Sequence, residues 1–195
     1  MNNIMRMCQF LVRRAPRFVL CASIAVAVFV CAPVYAQTPV QSPTQTKPDT
    51  PYSRAVKAYD QGAFRQAFLS FKELAQMGHG GAEFMLGVMY FYGRGVERDQ
   101  GIASIWFYKS ARQGNPAAQL AFGSMFIRGV GVSPDPVQAY KWLSLARTSG
   151  IKDIVSQAEA LLAQTARQMT AEDIAKADKE ARDFKPVTTG PLGME

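Results

Sequence analysis

Apolar residues recur through the middle of this chain at the spacing of one helix face, and the same order occurs twice. Ala82, Leu86 and Tyr90 lie four residues apart, as do Ala118, Phe122 and Phe126, the interval that stacks side chains along one side of an α-helix. Residues 82–114 (AEFMLGVMYFYGRGVERDQGIASIWFYKSARQG), moved by 36 positions, fall on residues 118–150 (AQLAFGSMFIRGVGVSPDPVQAYKWLSLARTSG) without a gap. Gly87 then meets Gly123, Gly93 meets Gly129, Gly95 meets Gly131, and Asp99, Ala103 and Trp106 meet Asp135, Ala139 and Trp142. A period of this length marks supersecondary units that bury their apolar faces by stacking on one another.

Each unit, 82–117 and 118–150, reads as helix, loop, helix. Gly87 and Gly123 fall inside the first helix, where glycine costs about 1 kcal/mol relative to alanine, so a neighbouring helix is expected too close for a β-carbon. Gly93 and Gly129 are placed to end that helix in a left-handed cap, and Gly95 and Gly131 follow in the loop. Asp99 and Asp135 are acceptors for the free amides opening the second helix. In the second unit Pro136 and Gln138 add the layout of a capping box with a pre-set first residue. Ala103 and Ala139 are small contact points, and Trp106 and Trp142 are large knobs. Asn115-Pro116 restarts the next hairpin in the same way.

Residues 52–81 hold a degenerate hairpin in the same phase, with Tyr59, Gly62, Ala67, Phe71, Leu74 and Ala75 at helical spacing and no glycine-rich middle loop. Terminal units of a stack have one side in water and are expected to be irregular. Residues 151–184 carry two more apolar stripes. One runs through Ile154, Ala158, Leu161 and Leu162; the other follows Thr170 as a cap and runs through Ile174, Ala177, Ala181 and Phe184. These are expected to lie as a lid over the last hairpin.

The ends differ in kind. Residues 18–32 form an apolar run broken only by Ser23, preceded by Arg6, Arg13, Arg14 and Arg17 and followed by Val34-Tyr35-Ala36. That is the layout of a secretory signal peptide over 1–36, with cleavage expected after Ala36. The run is short for a span, which needs roughly 20 apolar residues, so an inner-membrane anchor is the alternative. Residues 37–51 contain four prolines and no aromatic and read as a disordered tether; residues 185–195, from just after Phe184, read as a flexible tail.

Export changes the chemistry available to the mature chain. Cys8, Cys21 and Cys31 are all lost with the first 36 residues, leaving no disulfide, thiol nucleophile or thiolate ligand. Removing the four arginines from 22 Lys and Arg leaves 18 against 15 Asp and Glu, so the formal charge falls from +7 to +3. That is an ordinary solvated surface, and no nucleic-acid partner is implied.

Catalytic sets are equally hard to assemble. His79 is the sole histidine; it sits in the turn His79-Gly80-Gly81, expected to be solvent-exposed, and one imidazole falls short of a metal site. Gly93-Arg94-Gly95-Val96 and its repeat lack the following Gly-Lys-Ser/Thr and the preceding strand of a phosphate loop. Glu172 and Asp173 suit the first turn of a helix and point apart. No enzyme, cofactor or metal is expected. What remains is a surface opposite the packing stripe of the first helices: Met85, Met89 and Tyr92 in one unit, Met125 and Arg128 in the other. Flexible methionine and amphipathic tyrosine suit a peptide partner if that face lines a groove. The recurrence of Met89 at Met125 equally suits core packing.

The motif A-x-x-x-L-G-x-x-Y-x-x-G-x-G-V-x-x-D-x-x-x-A-x-x-W, complete in the first unit and carried in the second with Phe122 and Phe126 for Leu and Tyr, resembles the Sel1-like repeat, a relative of the tetratricopeptide repeat. The hairpin at 52–81 is similar to the tetratricopeptide-type unit often found ahead of such repeats. The resemblance implies an all-α fold, a short right-handed α-solenoid of about three hairpins with a C-terminal capping helix pair. It also implies a scaffold or adaptor for a protein or peptide partner, periplasmic or secreted, with the membrane met only through the signal segment before cleavage. A factor that binds or remodels the cell wall, peptidoglycan or other sugar, is the alternative function.

Overall fold

The computed structural model describes residues 50–187. The export segment at 1–36, residues 37–49 of the tether and residues 188–195 of the tail lie outside the described residues. Among the described residues the regular structure is helical throughout: α1 (Pro51–Asp60), α2 (Phe64–Gln76), α3 (Gly80–Tyr92), α4 (Gln100–Arg112), α5 (Pro116–Arg128), α6 (Pro136–Arg147), α7 (Lys152–Ala166) and α8 (Ala171–Arg182).

Local chemistry sets where these helices begin and end. Asp99 accepts the Ile102 amide at 2.8 Å, Asp135 accepts those of Val137 and Gln138 at 2.9 and 3.0 Å, and Asn115 accepts those of Ala117 and Ala118. Each acceptor satisfies donors that have no partner within the first turn. Gly93 and Gly129 end α3 and α5 in the left-handed region, at φ 71° and 63°. The expected capping box of the second unit is only half made. Gln138 does not fold back, because the Asp135 amide already donates to the Phe126 carbonyl at 3.3 Å; the Gln138 side chain reaches Glu180 instead.

Successive helices pack in chain order from α1 to α7, so α1/α2, α3/α4 and α5/α6 form three stacked hairpins. The closing pair covers the last hairpin, as expected: α7 and α8 both pack on α6, and α7 also reaches α5. In effect α7 takes the place of the first helix of a further unit. On α8, Glu180 ties to α6 through a 3.2 Å salt bridge with Lys141 and a bond from Gln138.

Two apolar clusters fill the stack. Phe71, Leu74, Leu86 and Met89 centre one, so the degenerate first hairpin is packed in full, and Phe107, Phe122, Met125 and Trp142 centre the other. Burying side chains of this size contributes roughly 1.5–3 kcal/mol each. A β-carbon on Gly87 would stand 2.6 Å from the Phe107 ring, and one on Gly123 would stand 2.9 Å from Leu143, so both glycines admit the second helix of their own hairpin.

The loops act between units. A β-carbon on Gly95 would strike the Phe64 carbonyl at the start of α2, and one on Gly131 would strike the Gln100 carbonyl at the start of α4. Phe64 and Gln100 are themselves 36 residues apart, so each loop seats on the preceding unit by one rule. The folded part also extends further than expected. Phe184 stacks edge-on against Trp142 at 5.6 Å, and the Val187 amide donates to the Arg112 carbonyl at 2.9 Å, so residues 184–187 strap α6 to the end of α4.

A candidate binding groove

The first helices of successive units, α3 and α5, together with α7, border a groove of about 590 Å³, with Phe107 of α4 beneath it. Its walls follow the repeat. Phe84 and Leu120, Val88 and Ser124, Phe91 and Ile127, and Tyr92 and Arg128 are pairs 36 residues apart, and all eight line it. Leu161, Gln157 and Gln164 supply the α7 side. The floor is therefore apolar, and the polar groups sit along the rim. The size lies within the usual range of binding pockets, about 300–1,000 Å³.

The structure divides the five residues singled out in the sequence. Tyr92, 62% exposed, and Arg128 both stand on the groove rim. Met89 and Met125 do not offer a face to a partner: at 0% and 1% exposure they are equivalent members of the two apolar clusters. Met125 touches the groove only as part of its closed bottom. Met85 is half-buried against the first cluster. The methionine stripe is thus core, because it points at the neighbouring second helices; the groove face is turned away from it, at Phe84, Val88 and Phe91. These were missed because α3 (GGAEFMLGVMYFY) is apolar around most of its circumference, leaving no polar side to mark which apolar side is open. Their usable signal was the 36-residue pairing with Leu120, Ser124 and Ile127.

Tyr92 and Arg128 are held differently. The Arg94 guanidinium lies 5.3 Å from the Tyr92 ring centre and also covers Tyr59 and Phe64, so the loop after α3 braces the tyrosine by cation–π contact. Arg128 is propped by Ser124, whose hydroxyl and carbonyl accept its N–H groups at 3.2 and 3.4 Å.

Titratable groups elsewhere serve the fold. His79 is not an exposed turn residue: it is half-buried, stacks on Tyr52 at 4.6 Å, and its Nδ1 accepts the Ala82 amide as the cap of α3. Gly80 and Gly81 therefore form the first turn of that helix. Asp173 exchanges bonds with Thr170 at the start of α8. Glu83 is the unusual carboxyl, 6% exposed between α3 and α4 and bonded by the Gln113 amide at 2.7 Å. Burial pushes it up to about 7, against the opposing pull of the Lys109 ammonium and the Gln113 bond. It faces the hairpin interior and does not line the groove. Among the described residues no cluster of His, Cys, Asp and Glu is arranged to hold a metal ion.

Comparison with known proteins agrees with this architecture. Residues 80–115 and 116–150 each match the Sel1 repeat, and each match begins at the residue that follows a helix cap, His79 or Asn115. A protective antigen present in uropathogenic Escherichia coli strains, displaying an SLR fold, superposes with a TM-score of 0.63 at 28% identity, covering 69% of this chain. The match spans only 29% of that antigen's own chain. A Sel1 repeat protein from Oxalobacter formigenes superposes with a TM-score of 0.50 at 25% identity, covering 56% of this chain and 86% of its own. No curated protein matches.

Proposed function

We propose that these two Sel1 repeats form an adaptor of the cell envelope, and that the groove across α3, α5 and α7 receives a segment of its protein partner. The observation that carries this reading is the pairing of groove residues at the repeat interval. Phe84 and Phe91 pack in part on Phe107 and the second cluster, yet with Leu120 and Ile127 they also line the open groove at the repeat interval. An open apolar strip bordered by polar groups is the surface an amphipathic helix or extended peptide seats on. Placement in the envelope is supported by the basic, apolar and small-residue order of residues 1–36, and the Pro-rich 37–51 segment would give the module reach.

The test is crosslinking in the native envelope fraction with a C-terminally tagged chain, followed by N-terminal sequencing of what is recovered. A chain beginning at Gln37, joined in fixed ratio to one or two envelope proteins and losing them when Ala121→Trp fills the groove, is the expected result. Recovery of wall fragments alone would replace the adaptor with a sugar-binding factor, and a chain still beginning at Met1 would replace export with anchoring.

A further inference from the structure

The groove has one charged lining residue, Arg128, and no carboxylate. We infer, on the reading that this groove binds a protein segment, that it selects one with an acidic side chain set between apolar residues, and that Arg128 seats that carboxylate. Three observations converge. Tyr92, Arg128 and Gln164 are each 36 residues apart and all stand at the groove, one on each of its three helices. A phenol, a guanidinium and a carboxamide therefore form one row, and each has an N–H or O–H to donate. Next, Arg128 makes no salt bridge among the described residues; its two bonds to Ser124 leave the rest of its planar fork unused. A cation in this state beside an apolar floor favours a carboxylate that can meet it in bidentate geometry. Finally, Arg128 is on α5, the middle of the three helices. A segment lying across all of them presents its interior at α5 and its ends at α3 and α7, so the carboxylate is an Asp or Glu side chain within the segment, not a chain terminus.

The experiment is an array of random dodecapeptides, acetylated and amidated so that neither terminus is charged, probed with the full chain at low salt. Binding peptides should carry an Asp or Glu flanked by apolar residues. Converting that residue to Asn or Gln should weaken binding about tenfold, Arg128→Gln should weaken it equally, and the two changes together should cost no more than either alone. Arg128→Lys should restore part of the loss, and rising salt should shrink it. If the peptides are apolar without acids, indifferent to Arg128→Gln, yet lost on Ala121→Trp, the acidic requirement is overturned while the groove reading stands. If the only binders are peptides remade with a free C-terminal carboxylate, the side-chain assignment is overturned in favour of a chain end. If no peptide distinguishes the chain from Ala121→Trp, the inference and the groove reading fall together.

Discussion

The two repeats are most alike at their closest approaches and least alike where they meet anything else. Gly87 and Gly123, Met89 and Met125, Gly95 and Gly131, and Ala103 and Ala139 are identical pairs, and each lies in a core or a close approach. Unlike pairs inside the units, such as Leu86 and Phe122 or Phe107 and Leu143, keep their apolar character, whereas unlike pairs on the outer faces change character. Tyr92 and Arg128 stand on the groove. Ile102 and Ile105 lie exposed on α4, whereas their counterparts Gln138 and Lys141 are tied to Glu180 of α8. The lesson is that a position is held to the period by the neighbour it must fit, and released where that neighbour changes along the stack.

The two tryptophans put the largest strain on this view, because identical residues at one register have unequal surroundings. Trp142 is 3% exposed and ringed by Tyr108, Phe122 and Phe184, whereas Trp106 is half-buried at the edge of the first cluster with the Lys109 ammonium 4.4 Å above its ring. Trp142→Ala should cost about 3–5 kcal/mol, as for a large buried side chain that leaves a cavity, and should free the strap at Phe184. Trp106→Ala should cost roughly half as much, since water already reaches part of its ring. Urea unfolding of both variants decides: equal losses would mean that period and residue type, not the neighbour, set the contribution.

The same distinction explains what could be seen in the sequence. The helix ends and the caps at Asp99, Asp135, Asn115 and Thr170 were legible because each depends on residues within a few positions of one another, and the period because it recurs without a gap at 36 residues. The interior glycines were legible because glycine inside a helix has a cost that only a close approach explains, and Phe107 and Leu143 supply that approach. The groove was only partly legible. Tyr92 and Arg128 were marked, but Met85 and Met89 stood in for Phe84, Val88 and Phe91, since α3 is apolar on nearly every side. That the closing helices cover the last hairpin was legible from their apolar stripes; the Glu180 contacts with Lys141 and Gln138 were not, because they join residues about 40 positions apart and no local pattern records such a pairing.

Glu83 and Gln119 sharpen the comparison by pH. They occupy one register; Gln119 donates to the Ala111 carbonyl at 3.3 Å, while Glu83 accepts from Gln113. Because the folded carboxyl is raised from 4.5 to about 7, chiefly by burial, its favourable contribution is full below pH 4.5 and is lost as pH rises from there through about 7. Glu83→Gln should therefore leave stability unchanged at pH 4 and raise it above pH 7, by about 1–2 kcal/mol allowing for solvent relaxation. The reverse change, Gln119→Glu, should transfer the same pH dependence to the second repeat. Melting temperatures from pH 4 to 9 that move in parallel for all three chains would show that the register does not control this carboxyl.

The smallest expected difference lies in the caps, where both repeats use aspartate but not to the same extent. Asp99 satisfies one amide, Ile102, and is exposed; Asp135 satisfies two, Val137 and Gln138, from a partly buried site. Pro136 contributes no amide of its own at the first position, so the donors left unpaired on removing Asp135 are the two it now holds. Asp99→Ala should cost about 0.5 kcal/mol and Asp135→Ala about 1–1.5 kcal/mol, within the range for such caps. The Asp135 loss should appear as faster amide hydrogen exchange at both Val137 and Gln138, the Asp99 loss at Ile102 alone. Equal exchange gains at the two sites would mean that the second repeat's extra bond adds nothing, and that the units differ in their outward faces but not in how their helices begin.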